Sequence, residues 1–420
     1  MCIRDRYVVG GFVRDLLLGE PTLDLDLVVE GDAIALAEAL AQRLKGRVRS
    51  HERFGVAKVI LGGTAGTNLP PWLDFVTART EFYQHPTALP EVERSSIKQD
   101  LYRRDFTINT MAICLDRDRY GELLDFYGGE RDLRDKLIRV LHNLSFVEDP
   151  TRILRAARLE QRLGFRIEAR TAELIDDALG LLDRVSGERL RHELDLILSE
   201  RDPGESVKRL AELGVLRRLE PGLAFDEWLG AKFRLVVDED TQEPQSGLEL
   251  ADVQDRSRSE ALSEKARRDL FLALLTYRLT RAQLDRFARR LRFKQVTVRL
   301  LEEMLELRAC TGDLDEPDLK PSRIYQLLHR YSDRAILAFS YALDSTLARD
   351  RAQQYLRQWR WVRPRLTGAY LKARGVPPGP VYRTILNRLL YALLDGEIGT
   401  EAEEEALAGR LLARRQKSED

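Results

Sequence analysis

Two aspartates, Asp24 and Asp26, stand two residues apart inside the otherwise apolar run Leu23 to Val29. The run is rich in Leu and Val and reads as a largely buried strand. Residues two apart on a strand share a face, so the two carboxylates lie side by side and repel. Such a pair stays ionised at neutral pH only beside a cation, and a divalent metal is the economical one. The plain alternative is an edge strand with two solvated carboxylates. Upstream, Gly10 and Gly11 end a short apolar strand, Tyr7 to Val9, and open the helical segment FVRDLLLG, closed by Gly19. A glycine pair at a strand-to-helix turn lets backbone N–H groups approach an anion, with the helix dipole behind them. Arg14, in the first turn, reaches the same anion. A phosphate cradle beside a metal-binding carboxylate pair is the equipment of phosphoryl or nucleotidyl transfer.

The stretch GGFVRDLLLGEPTLDLDLVV (Gly10 to Val29) is followed by RRDFTINTMA (Arg103 to Ala112) and EDPTRILRAARLEQRLGF (Glu148 to Phe165). In this order the three resemble the motifs of the class II tRNA nucleotidyltransferase and bacterial poly(A) polymerase family, within the polymerase-β-like nucleotidyltransferases. The resemblance is strong over the first half of the chain and looser beyond. It implies an α+β fold: an α/β head carrying the chemistry, followed by all-helical neck, body and tail domains. The expected boundaries are 1–144, 145–205, 206–330 and 331–420, with the tail binding tRNA. Family members usually carry a helix ahead of the first strand, where this chain has only six residues. The wording VVEGDAIALAEAL and RSSIKQDLYRRDFTIN looks most like members with extra N-terminal domains, so a truncated start is the expectation.

Bulk properties agree with several domains, since 420 residues exceed one compact core. The 44% hydrophobic and 33% charged content includes no apolar run of membrane-spanning length, and MCIRDRYVVGG does not read as a signal peptide. Cys2, Cys114 and Cys310 lie far apart without metal-ligand spacing, which fits a reducing cytoplasm. The five histidines form no zinc motif either. A net charge of −1 means that an RNA-binding surface requires the 68 Lys and Arg to be segregated from the 69 acids. Acidic stretches such as EAEEEA and VVDEDTQEPQSGLELAD begin that segregation.

Alternation and turn residues predict strands at 7–10, 23–29, 47–50, 56–61 and 72–78, and an amphipathic helix over DAIALAEALAQRL. ELLDFYGG and LIRVL read as further strand or loop pieces, and after Ser145 the pattern is helical almost throughout. The polar run at 236–263 reads as a loop or a poorly ordered insertion.

The resemblance implies that Asp24 and Asp26 hold two Mg²⁺ ions, one activating a tRNA 3′-hydroxyl and one neutralising the triphosphate. It further implies ATP and CTP as substrates, tRNA as acceptor, and a cytoplasmic enzyme adding CCA or its terminal A. A poly(A) polymerase is the enzymatic alternative, and an inactive RNA-binding relative is the alternative of another class. Asp74, in WLDFVTAR, is a candidate third carboxylate, as ligand or base, or else a strand residue paired with a nearby arginine. Arg79 and Glu81 read as a structural ion pair ahead of a mobile loop, His85 to Lys98. By resemblance Arg104 and Asp105 contact sugar and phosphates, with Asn109 a lesser candidate.

Asp149 before Pro150 marks a helix start. At about 100° per residue, Arg152, Arg155, Arg158 and Arg162 fall within an arc of roughly 120°. The stripe contains no acid, so it asks for an external anion. Asp149 and Arg152 permit a sharper reading, because a carboxylate only accepts hydrogen bonds and a guanidinium only donates. Cytosine and adenine both offer an amino donor beside a ring-nitrogen acceptor. Uracil and guanine place a carbonyl where the amino group belongs. One Asp–Arg pair therefore selects C and A without a template, and the resemblance implies the same use. In the tail, Pro378-Gly379-Pro380 either points free N–H groups at a tRNA phosphate or simply starts a helix.

Overall fold

The computed structural model describes residues 5–22, 24–61, 70–82, 91–241 and 264–419. They form two compact units, Met1–Ile197 with Glu205–Leu219, and Leu198–Gly204 with Glu220–Asp420.

The first unit is built on a mixed sheet. Its strands are β1 (Arg6–Val9), β2 (Asp26–Val29), β3 (Arg47–His51), β4 (Val56–Ile60) and β5 (Trp72–Thr77), then β8 (Met111–Cys114) and β9 (Leu123–Asp125). Between them in sequence, β6 (Arg79–Phe82) and β7 (Glu91–Arg94) form a separate hairpin. The seven-stranded sheet runs β3-β4-β5-β2-β1-β8-β9, with β2 and β5 parallel and the other neighbours antiparallel. Two short strands, β10 (Leu137–Ile138) and β11 (Arg166–Ile167), pair in parallel.

The helices of this unit that bear on function are α1 (Gly11–Leu18), α2 (Ala33–Leu44), α3 (Ile97–Tyr102), α4 (Gly129–Arg134), α5 (Ser145–Glu148), α6 (Arg152–Leu163), α7 (Ala169–Ala178) and α8 (Gly187–Leu198). Asp32 caps α2 by accepting from the Ala35 N–H at 3.1 Å. Ala33, Ala37 and Ala41, four residues apart, face the sheet and let α2 pack closely on Val29, Val59 and Phe75. The opposite face is buried by Ile97 and Leu101 of α3 against Tyr7, Val9, Val28 and Cys114. Val28 and Val29 thus belong to different cores, as strand alternation requires. Asp26 shares its face with Val28.

Several expectations need correction. The second strand begins at Asp26, so Asp24 precedes it, and Leu23 lies outside the described residues. The segment read as a mobile loop from His85 to Lys98 contains strand β7 and the start of α3, while 83–90 lie outside the described residues. ELLDFYGG and LIRVL do supply strand pieces, β9 and β10, and the partner of β10 is the short strand β11 within the region read as almost wholly helical.

Charge ties the helices following Ser145 to the sheet-bearing segment. Arg155 of α6 donates to Asp105 at 3.0 Å and to Glu193 of α8 at 2.9 Å. Both carboxylates are buried. Burial disfavours the Arg155 charge, yet Asp105 and Glu193 outweigh it and hold the guanidinium firmly protonated.

The second unit is helical throughout its described residues, from Glu227–Thr241 to Glu401–Glu419. The polar run beginning at 236 is helical as far as Thr241, with Val236 buried, and 242–263 lie outside the described residues. Leu366, Leu371, Ile385 and Leu389 form a core under the C-terminal helices. No helix among the described residues is long and apolar enough to cross a membrane.

Glu193→Ala is expected to destabilise the first unit by about 1–3 kcal/mol, less than the 3–5 of a fully buried broken pair. The reduction follows because the Arg155 side chain keeps 35% of its surface exposed. A urea-unfolding midpoint measured for Glu193→Ala and Glu193→Gln checks this, with Gln costing less because it still accepts a hydrogen bond.

Candidate active site

Parallel pairing of β2 with β5 sets Asp26 directly beside Asp74. Asp24, two residues before Asp26, completes a cluster in which one oxygen from each carboxylate lies within 4.8 Å of the others. Lys58, the cross-strand neighbour of Asp74 on β4, places its Nζ 2.9 Å from Asp74 Oδ2. Burial raises the Asp26 carboxyl above its ordinary range; Arg104 opposes this, Asp24 and Asp74 add to it, and Lys58 opposes it. Three clustered carboxylates are hard oxygen donors of net negative charge, a set that fits a divalent cation of the Mg²⁺ type.

A cleft of about 410 Å³ opens beside this cluster. Gly10, Gly11, Arg14 and Asp26 line it on one side, and Arg104, Asp105, Asn109, Asp149, Arg152 and Arg155 also face it. Arg158 is not among its lining residues, and Asp24 and Asp74 adjoin it through Asp26. Arg79 and Arg103 line it as well.

Gly10 adopts φ +73°, and a Cβ there would sit 2.6 Å from Arg104 Nη1. Its N–H does not face an anion as the sequence suggested: it donates to the Met111 carbonyl at 3.2 Å. What Gly10 contributes is a left-handed turn and room for the Arg104 guanidinium.

The cleft arginines are held by carboxylates. Arg14, only 4% exposed, donates to Asp15 and Asn109, both at 2.7 Å. Asn109 passes a hydrogen bond to Asp105 at 2.9 Å, and Asp105 receives Arg155. Burial pushes the Asp105 carboxyl up, but Arg155 and Asn109 together hold it below the ordinary range. Fully buried Asp100 receives Arg103 at 2.7 Å, Arg104 at 3.2 Å and the Arg79 N–H at 3.3 Å. Its burial is likewise overruled, by Arg104 and then Arg103, and its pKa is lowered. Arg104 Nε is buried without a hydrogen-bond partner. Arg79 donates to the Phe54 carbonyl at 2.8 Å, and the Glu81 side chain lies outside the described residues.

Asp149 divides its two oxygens. Oδ1 accepts from the Thr151 N–H at 3.0 Å, the Thr151 hydroxyl at 2.6 Å, and pairs with Arg189 of α8 at 2.6 Å. Oδ2 has no partner among the described residues. Arg152, 5% exposed, donates through Nη2 to the Arg103 carbonyl at 2.8 Å and through Nη1 to Ser145 O at 3.4 Å. The acid-free arginine stripe is therefore corrected: acids from other elements meet Arg155, and Arg152 is inside the protein rather than on a charged surface. Arg162 borders a separate pocket with Asp15 and Glu20. Helix α6 starts at Arg152 with Thr151 as N-cap, so Pro150 precedes the first turn.

Sequence reasoning missed Lys58, Asp100, Arg189 and Glu193. Asp100 had a signal, standing three and four residues before the two arginines it binds. The other three depend on contacts between distant elements.

Comparison with known proteins agrees with this geometry. Residues 6–139 match the family described as the poly A polymerase head domain, and residues 164–226 match the probable RNA and SrmB-binding site of polymerase A. An A-adding tRNA nucleotidyltransferase from Geobacter sulfurreducens is 41% identical over 420 residues, covering 96% of this chain and 45% of that protein. A solved CCA-adding enzyme in an apo form is 35% identical with a TM-score of 0.79, covering 98% of this chain and 92% of that one. The Thermotoga maritima CCA-adding enzyme complexed with tRNA is 32% identical with a TM-score of 0.72, covering 98% and 91%. The fold is that of these solved nucleotidyltransferases. The chain belongs to the tRNA nucleotidyltransferase and poly(A) polymerase family. It spans about half the length of the curated relatives it matches, or less.

Gly10→Ala tests the turn. A Cβ at φ +73° would displace Arg104, so nucleotide affinity is expected to fall by roughly tenfold or more, the equivalent of one charge-assisted hydrogen bond. Titration of a non-hydrolysable ATP analogue against wild type and Gly10→Ala reads the difference.

Proposed function

We propose that this chain transfers nucleotides from CTP and ATP to the 3′ end of tRNA, adding CCA or its terminal A without a nucleic-acid template. The observation that carries the reading is the division of Asp149, whose Oδ1 is fixed by Thr151 and Arg189 while Oδ2 is left over, in the cleft that Arg152 also lines. An acceptor-only oxygen and a donor-only guanidinium, both fixed before the nucleotide arrives, match the amino group and ring nitrogen shared by C and A. A wrong base leaves buried polar groups unpaired, which supports discrimination on the order of 10⁴ where a site is built for it.

The triphosphate lies by this reading along Gly10, Gly11 and Arg104, whose Nη1, beside Gly10, has no partner among the described residues and is a donor for a phosphate oxygen. Arg14 and Arg155 support the floor rather than hold the anion, since both terminal nitrogens of each are already engaged. Asp24, Asp26 and Asp74 would hold Mg²⁺, which when bound supplies charge neutralisation for the 3′-hydroxyl and for the pyrophosphate that departs. The new bond joins the 3′ oxygen to the α-phosphorus as the bond to pyrophosphate breaks. In this reading residues 1–144 form the catalytic head and 145–205 carry the base-selecting helix. Residues 206–330 form the body, 331–420 form the tRNA-binding tail, and the enzyme works in the cytoplasm. The Geobacter relative supports the terminal A as the nucleotide added.

Asp24→Ala and Asp26→Ala are expected to abolish addition while tRNA affinity stays within about twofold, since neither carboxylate is assigned to RNA. Substantial Mg²⁺-dependent addition by either variant would remove the metal assignment. An unstructured homopolymer should be a poor acceptor beside tRNA lacking its 3′ nucleotides; unlimited A-tailing of it would favour the poly(A) polymerase reading.

Selectivity gives the sharper test, read by single-turnover addition of each of the four NTPs to tRNAs lacking three, two or one of their terminal nucleotides. Arg152→Ala should admit UTP and GTP more often, yet not equally with CTP and ATP, because Asp149 still opposes a carbonyl. Asp149→Ala should let UTP compete, and Arg189→Ala should relax the choice in the same direction by roughly tenfold as the carboxylate loses its anchor. Uniform loss of rate with unchanged preference in all three variants would show that the pair does not read the base.

A further inference from the structure

The second unit carries a concentration of charge that the cleft does not use. Between Asp350 and Asp395 lie nine Lys and Arg and no carboxylate, in a chain whose net charge is −1. Arg351 is consumed internally on the carbonyls of Leu314, Glu316 and Pro317. Arg357, Arg363, Lys372, Arg374 and Arg383 are exposed and have no carboxylate partner among the described residues.

Within this stretch the 3-10 turn Trp359–Trp361 projects an indole into solvent: Trp361 is 65% exposed. A single exposed apolar side chain is ordinary. Here its mounting is not. The Arg360 guanidinium lies 4.5 Å from the Trp361 ring centroid and is itself anchored by Asp333, so one ring face has a fixed cation against it. The turn is braced by Trp361 N–H to the Gln358 carbonyl at 3.1 Å and Val362 N–H to Trp359 O at 3.2 Å. Arg363 folds back to donate to the carbonyls of Arg360 and Val362, both at 2.7 Å. With one face backed by Arg360, that exposure leaves the opposite face in water.

We propose that Trp361 is a stacking platform for a nucleobase of the bound RNA. The proposal rests on the reading that RNA is the acceptor. A flat π-face, held rigid and set in a stretch of unpaired cations, is the combination that binds a splayed base together with its phosphates. Stacking is indifferent to base identity, so this site would read the fold of the RNA and not its sequence. Arg357 and Arg363, a few residues away in sequence, would contribute the salt-dependent part of the affinity.

The test uses the full chain and a tRNA transcript lacking its terminal adenosine, with Kd measured by filter binding across a salt series. Trp361→Ala should weaken binding by roughly 5- to 150-fold, as loss of one stacked base does, with the salt slope unchanged. Trp361→Leu, which keeps apolar bulk and loses the plane, should lose as much, and Trp361→Phe should recover part. Arg363→Ala should instead reduce the salt slope by about 1. Indole fluorescence that is quenched on adding tRNA in wild type, and missing that component in Trp361→Phe, supports the same conclusion. Unchanged tRNA affinity in Trp361→Ala and Trp361→Leu would overturn the platform while leaving RNA as partner. A wild-type chain that fails to bind this tRNA would overturn both the platform and the acceptor assignment.

Discussion

The parallel register of β2 on β5 is the constraint to which the rest of the first unit answers. It sets Asp26 against Asp74 and, with Asp24, gathers three carboxylates whose oxygens lie within 4.8 Å. Like charges at that spacing repel by about 3–4 kcal/mol per pair at an effective dielectric of 20. The sheet holds them there because sliding β2 by one residue would exchange its faces, taking Val29 out of the alanine-lined core beneath α2 and Val28 out of the core beneath α3. Lys58 and Arg104 offset part of the repulsion. The carboxylate cluster is thus a strained arrangement maintained by apolar packing on both faces of the strand that bears it.

The cleft arginines follow a related logic. Arg14 is matched by Asp15, Arg103 and Arg104 by Asp100, Arg155 by Asp105 and Glu193. Each guanidinium is immobilised before any ligand arrives, which removes the side-chain ordering that binding would otherwise cost. The same matching explains how a chain of net charge −1 can present so many arginines to one cleft. The attraction for an anion is then assigned to an uncommitted donor such as Arg104 Nη1 rather than to bulk positive charge.

Much of this was legible from local pattern. Alternation located β1 to β5, and amphipathic periodicity located α2, because both signals depend on neighbours in sequence. Sequence spacing brought Asp24 and Asp26 together, although only Asp26 lies on the strand, and Asp74 could be singled out as a third carboxylate without its register being known. The register itself, the Lys58–Asp74 contact and the Arg189–Asp149 contact join elements far apart in the chain, and single-sequence periodicity carries no term for them. The stripe on α6 misled for the same reason. Helical geometry correctly grouped Arg152 and Arg155 but said nothing of the acids that other elements bring to them. Strand β7 was missed because a short run of Glu, Val and Arg lacks apolar alternation and depends on its partner β6 for definition.

One rule describes Asp149 and Arg104: one atom is committed to the scaffold and another is left for the ligand. Asp149 gives Oδ1 to Thr151 and Arg189 and keeps Oδ2; Arg104 gives Nη2 to Asp100 and keeps Nη1. Only side chains with two separated polar atoms can do this, which accounts for arginine and aspartate where lysine or serine would supply comparable charge or hydrogen bonding. A lysine at position 104 could satisfy Asp100, but its single nitrogen cannot also occupy the place of Nη1. The orientation of the free atom is inherited from the bound one, so the precision of the cleft is set by buried contacts such as Asp100–Arg104 and Arg189–Asp149. Those contacts lie behind the surface the nucleotide would meet, and they decide how sharply it can be read.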